Sequence, residues 1–441
     1  MLPPVPTCGG VQDSGGWHPA PTGAAYRRSQ KPRDNRSRAV GEVSRSVGRV
    51  ASVACSEMKR SVLVLPTLLL VACSSPGPVS ASKPSSHPTA SAAASPSATP
   101  APNHEQLLVV LESSGGPAKQ ADTIAIAGLD GVARAKAHFK PRSVPWILPD
   151  LGALLPQVAH VAARRAYYVD GDGVVRSLGA DGSVREETRF PVTDGQQEVS
   201  FAVSQDGRDL VGAVVTLPAE PKPPPTPGYF PSAPYAMDVF TATSGSSAVV
   251  AYHRTWTYHD NLGSGAQFVA WDVAGPVATW PSGLGTQGGG PHQWNGAMLV
   301  HFPGGRPGAA VPAPAGCTPW DLLPSGVFLC GGSNEALMVL GPDGSLRWRY
   351  TGTGGDGPEL YGFLSPDAER VVALGSKSPT VYSASDPPIT MPDGFFHSGW
   401  IDSRTVAGIT TSGDFAFVSL ASPGHVTDLG FKGQFVEGLA T

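Results

Sequence analysis

From His104 to Thr441 the apolar, β-branched and aromatic residues fall in short runs separated by Gly, Asp-Gly and Pro turns. Examples are QLLVVLE from Gln106, DTIAIAG from Asp122 and FAVSQDGRDLVGAVV from Phe201. No long stretch keeps its apolar residues at helical spacing, so the pattern predicts an all-β domain. Asp170-Gly171, Asp181-Gly182, Asp206-Gly207 and Asp343-Gly344 each stand between two strand-like runs, where a tight hairpin needs a residue with positive φ.

Cutting the chain at its turns yields six units, at 157–191, 198–256, 266–313, 317–350, 359–391 and 395–431. Each has room for four strands, the size of a propeller blade. Their opening strands share an aromatic residue, an acidic turn and an apolar strand, as in GFLSPDAERVVALG from Gly362 and GWIDSRTVAGIT from Gly399. The two ends supply a seventh unit, because 106–140 holds three strand candidates and lacks an opening one. The last residues, QFVEGLA from Gln434, resemble the opening strands. The expectation is a β-propeller of seven four-stranded blades, closed by the C-terminal strand pairing with the first blade, which removes open sheet edges.

Two runs carry a family resemblance. FLSPDAERVVAL, from Phe363, resembles the TolB-type WD40-like repeat, whose core is Ser-Pro-Asp-Gly-basic followed by a strand; Ala368 stands where that repeat has Gly. LMVLGPDGSLRWRYTGTGG, from Leu337, resembles the quinoprotein-type repeat, in which an Asp-Gly turn leads into a Trp-bearing strand. Both resemblances imply a propeller and neither implies one function.

The pattern changes before His104. MKRSVLVLPTLLLVACSS, from Met58, has a basic start (Lys59, Arg60) and an apolar stretch from Val62 to Ala72, too short to span a bilayer as a helix. Leu70, Val71 and Ala72 before Cys73 resemble the lipobox of bacterial lipoproteins. That resemblance implies a signal peptide over 58–72, lipid (palmitate among its acyl chains) on Cys73, and an extracytoplasmic, membrane-anchored protein. Residues 74–103 are almost entirely Ser, Pro, Ala, Thr and Gly, a composition that cannot offset the entropy of ordering and reads as a tether. Residues 1–57 read as a disordered extension upstream of the true start.

Charge narrows the partners. The net charge is −4, but residues 1–72 hold ten basic and four acidic side chains, which leaves 21 basic against 31 acidic in the remainder. Such a surface repels phosphate backbones, so nucleic acid is not an expected partner. In an oxidising compartment Cys317 and Cys330 are expected to form a disulfide.

Catalytic signatures are sparse. Gly283, Gly285 and Gly288 satisfy GxGxxG, but Gly289-Gly290-Pro291 follow where a nucleotide-binding helix would have to start. Asp170 and Asp172 in YVDGDGVV lack the further oxygen ligands of a calcium loop and read as a polar hairpin turn. The densest polar and aromatic cluster is HRTWTYHDN, from His253, where Trp256, Tyr258, His259 and Asp260 are candidates to hold a ligand by stacking and hydrogen bonding. The alternative is that its aromatics pack between blades. Trp271, Trp320 and Trp400 stand beside Asp272, Asp321 and Asp402 on opening strands, where repeated aromatics are expected to fill inter-blade space. A proline-rich run from Pro218 to Pro234 reads as an exposed excursion and a candidate partner-binding arm. The expected function is a binding or interaction module of the cell envelope, taking a protein, glycan or small ligand. The alternative is an exported propeller enzyme (quinoprotein-like oxidoreductase, lyase or hydrolase) with its site at the channel mouth. No cofactor and no metal set is identifiable from the residues.

Overall fold

Short turns leave each strand's sequence neighbour as its nearest partner, so the runs fold back on one another as antiparallel hairpins. The computed structural model describes residues 105–114, 121–141, 153–154, 159–193, 197–218, 234–256, 265–282, 286–287, 298–315, 317–332, 336–351, 360–374 and 378–439. Among them seven antiparallel blade sheets follow one another along the chain, and a separate two-stranded ladder pairs Ala153–Leu154 with Thr286–Gln287. Blade 1 combines Gln434–Leu439 with Leu107–Glu112, Thr123–Gly128 and Ala133–His138; blade 2 is Ala159–Ala162, Arg165–Val169, Val174–Gly179 and Val184–Arg189. Blade 3 is Gln197–Val203, Asp209–Thr216, Tyr235–Thr243 and Val249–Trp256; blade 4 is Gly265–Asp272, Gly275–Ser282 and Met298–His301. Blade 5 is Cys317–Leu322, Phe328–Gly332, Ala336–Leu340 and Leu346–Thr351. Blade 6 is Leu360–Leu364, Arg370–Leu374, Pro379–Ser383 and Ile389–Thr390, and blade 7 is Phe395–Asp402, Thr405–Thr410, Phe415–Ser419 and Val426–Asp428.

The blades form a ring because both faces of each sheet are apolar. Successive side chains of a strand point to opposite faces, and Leu107, Val109 and Leu111 pack on blade 2 with Tyr168 and Leu178 while Leu108 and Val110 pack on blade 7 with Phe415 and Ala407. The continuous apolar run is therefore a strand buried on both sides. Seven hydrophobic clusters result, one between each pair of consecutive blades. Phe190, Phe201 and Phe240 fill the gap between blades 2 and 3; Val239, Trp256, Phe268 and Phe302 that between 3 and 4; Val277, Leu299 and Phe328 that between 4 and 5. Leu329, Val339 and Tyr382 lie between 5 and 6, and Phe363, Trp400 and Val418 between 6 and 7. Each large apolar side chain so buried contributes about 1.5–3 kcal/mol.

The chain is a seven-bladed β-propeller, and its last described strand closes the ring. Gln434–Leu439 pairs antiparallel with Leu107–Glu112, Leu107 opposite Leu439, with a bulge between Val109 and Val110. The closing strand also presses on blade 7: a Cβ at Gly438 would lie 2.0 Å from the Ile401 carbonyl oxygen, so only glycine fits there.

Two expectations need correction. Among the described residues blade 4 shows three regular strands where four were expected. After His301 the chain enters a short 3-10 turn, Pro303–Gly305, and a proline-rich run that returns along Leu299–His301 through three backbone hydrogen bonds and the Val300 to Ala310 bridge without forming a regular strand. Proline lacks the N–H that an outer strand would donate. At the YVDGDGVV turn the positive φ falls on Gly173 (75°) and not on Gly171, because Asp170 Oδ1 accepts from the backbone N–H groups of Asp172 and Val174 and shifts the turn along by two residues. Gly182, Gly207 and Gly344 take positive φ as expected, and so does Ala368 (59°), the residue standing in the glycine position of the WD40-like repeat.

Cys317 and Cys330 form the expected disulfide, with Cα atoms 5.3 Å apart across the first hairpin of blade 5. Closing this loop contributes about 3 kcal/mol in the chain-entropy model. Reduction, or Cys317→Ala, is expected to lower the unfolding free energy by about that amount in urea titrations followed by tryptophan fluorescence; a midpoint indifferent to reductant would show that the bridge contributes nothing.

Candidate functional site

The first strand of each blade faces the central axis of the ring, so polar residues there meet in a confined channel. Glu437 is the clearest case. It lies on the closing strand between the buried Val436 and Leu439, receives a hydrogen bond from the Val161 backbone N–H of blade 2, and feels the carboxylate of Asp321 from blade 5, on the opposite side of the ring. Burial, and to a smaller degree that like charge, push its carboxyl up to about 7, while the Val161 bond acts in the opposite direction. Glu437 itself is half-buried, and Glu198 on the first strand of blade 3 is buried. His160 and His397, on the first strands of blades 2 and 7, meet Phe201 and Phe363 edge to face at 4.8 and 5.6 Å between ring centres. The first strands thus set carboxyl and imidazole groups among aromatic edges.

The three Trp-Asp pairs do structural work. Asp321 accepts from the N–H of its neighbour Leu322 at 2.9 Å and from Leu364 N–H of blade 6 at 2.7 Å, pinning two blades together. Asp272 accepts from Ala274 N–H and meets His301 Nε2 at 3.0 Å. Asp402 accepts from Arg404 N–H at 2.7 Å and from the side-chain amide of Gln106 in blade 1. Trp400 donates from Nε1 to the Phe363 carbonyl across the interface of blades 6 and 7, at 2.9 Å. Trp320 lies flat against Gly331, where a Cβ would come within 2.1 Å of the indole. The packing expectation therefore holds for these two. Trp271 also touches the cluster between blades 3 and 4, but its other side is open.

Of the HRTWTYHDN cluster, Trp256 lies in that same cluster, 7% exposed and stacked on Tyr235 with ring centres 5.7 Å apart. His253 Nδ1 lies 2.8 Å from Asp238 Oδ1 on the outer part of blade 3. Tyr258, His259 and Asp260 lie outside the described residues, as do Cys73, the GxGxxG glycines and residues 219–233 of the proline-rich run. Asp170 and Asp172 are engaged within the protein, Asp170 with Arg176 and Asp172 with Lys140 at 2.6 Å, in keeping with a turn. Among the described residues no group of three or more His, Cys, Asp or Glu is arranged to hold a metal ion. Glu437 escaped the sequence reading. The only signal was a lone carboxylate inside an otherwise apolar closing strand.

No protein-family model matches the chain, and neither does any curated protein. Solved structures do. An oligogalacturonate lyase in complex with manganese matches at 13% identity and TM-score 0.37, covering 64% of this chain and 76% of the lyase. The dihydro-heme d1 dehydrogenase NirN in complex with DHE matches at 12% identity and TM-score 0.37, covering 78% and 77%. The Dos1 propeller matches at 11% and 0.37, covering 74% and 84%. The propeller assignment rests on the strand pairing of this chain itself.

A carboxyl held near 7 makes stability depend on pH. Between the ordinary glutamate value of 4.5 and about 7 the folded chain keeps a proton that the unfolded chain has released, so stability falls as pH rises through this window, by at most about 3 kcal/mol. Glu437→Gln is expected to raise the unfolding free energy by about 1–3 kcal/mol at pH 8 and to leave it nearly unchanged at pH 4.5. Urea titrations at the two pH values check this; an equal effect at both would contradict the assignment.

Proposed function

We propose that the chain is an exported lipoprotein, tethered through lipid on Cys73, whose propeller acts as a binding module of the cell envelope. The observation that carries this reading is the Cys317–Cys330 bridge, since such bonds persist in oxidising, extracytoplasmic compartments. The sequence supports it with the Leu70-Val71-Ala72-Cys73 pattern after a basic and apolar leader, and with a 74–103 segment composed as a tether. A closed ring whose strands are held on both faces suits presentation of a fixed surface to a partner. A second reading, an exported enzyme working in the channel, is favoured by Glu437, whose carboxyl near 7 lies in the range where a general acid or base is effective.

The anchor is tested by feeding cells a palmitate analogue and comparing the native chain with Cys73→Ala. The native chain is expected to take up label and sediment with membranes, and the variant to lose both. Equal labelling of the two would remove the anchor from the account.

A further inference from the structure

The outer edge of blade 4 is an irregular proline-rich segment, and the turn that enters it borders an open place beside blade 3. The Pro303–Gly305 turn occupies that place without filling it: Gly305 packs its backbone on Thr241 and Ala251, and a Cβ at Gly304 would meet nothing within 4 Å. The result is a groove of 470 Å³ between the two blades, lined among others by Asp209, Thr241, Ser247, Val249, Trp271 and Gly304. It lies at the end of the sheets where the first-to-second and third-to-fourth strand turns of blade 3 gather, and so apart from the channel. Its volume falls within the roughly 300–1,000 Å³ range of small-ligand sites.

The groups facing this groove are unspent. The Asp209 carboxylate, the Thr241 and Ser247 hydroxyls and the Trp271 indole N–H have no hydrogen-bond or ion-pair partner among the described residues, whereas the indoles of Trp348 and Trp400 both donate to backbone carbonyls. Val249 adds an apolar wall, 64% exposed. Among the described residues no Lys or Arg lines the groove, so an anion would meet a carboxylate with no compensating cation there. A purely apolar ligand would leave the carboxylate and the indole N–H desolvated and unpaired, at a cost of about 1–3 kcal/mol for each group. A short saccharide meets these demands: hydroxyls donate to the carboxylate, one ring lays its C–H face on the indole π surface, and a hydroxyl of a neighbouring ring accepts from the in-plane indole N–H.

We propose that the groove between blades 3 and 4 is a binding site for a neutral saccharide, with Asp209 as acceptor and Trp271 as platform and donor. This deepens the binding-module reading by naming a ligand class, and it holds whether or not Cys73 carries lipid.

The purified full-length chain would be titrated calorimetrically with cellotriose, maltotriose, mannotriose and chitotriose, with trigalacturonate as an anionic comparison. Asp209→Ala removes an exposed carboxylate with no protein partner, and Ser247→Trp fills the groove from an exposed turn; both are expected to leave the thermal midpoint unchanged. The expected result is binding of at least one neutral trisaccharide, weakened tenfold or more in each variant. Binding of none of the four, binding that survives both variants, or preference for trigalacturonate would overturn the proposal. Palmitate labelling of Cys73 reads the anchor separately, so failure of one is not failure of the other.

Discussion

Everything in this fold depends on a backbone pairing between its two ends. Gln434–Leu439 and Leu107–Glu112 are more than 300 residues apart in sequence, yet they hydrogen-bond as neighbours in one blade. Without that pairing the edge of Leu107–Glu112 and one whole face of blade 7 would be open to water or to other chains. The loop-closure entropy is offset by the cluster it completes, in which Phe435 stacks on Phe415 with ring centres 5.9 Å apart and Leu108 and Val110 lie fully buried. Six of the seven interfaces join blades that are also sequence neighbours. The seventh exists only once the ring shuts.

Closure also creates the chemistry of the centre. Glu437 rides on the closing strand, and only there does its carboxyl meet Val161 of blade 2 and face Asp321 of blade 5. The same geometry turns aspartates at the ends of first strands into fasteners: Asp321 reaches Leu364 and Asp402 receives Gln106, each bond crossing from one blade to the next. The groove of blades 3 and 4 lies elsewhere, bordered by the Pro303–Gly305 turn that leads into the proline-rich run after His301.

The architecture was largely legible because its signals are local. Runs such as QLLVVLE, buried on both faces, and Asp-Gly turns at regular spacing mark strands and hairpins, and the likeness of QFVEGLA to the opening strands pointed to closure. The shift from Gly171 to Gly173 was not legible, because it depends on which backbone groups the Asp170 side chain captures. Nor were the sites. Trp271, Trp320 and Trp400 read alike in sequence, each beside an aspartate, yet Trp320 and Trp400 pack within the blades while Trp271 borders a groove together with Gly304 and Gly305 of another segment. Glu437 looks like an ordinary surface carboxylate until ring closure sets it beside Val161 of blade 2 and within reach of the Asp321 charge of blade 5.

The central claim is that the two ends fold as one blade, and hydrogen exchange tests it most directly. Amides of Leu108–Leu111 and Phe435–Leu439 are predicted to be protected together and to the same degree, and both sets to lose protection together in Gly438→Val, whose side chain would collide with the Ile401 carbonyl. Fast exchange of Phe435–Leu439 in the native chain beside a protected Leu108–Leu111 would contradict closure and with it the enclosed channel.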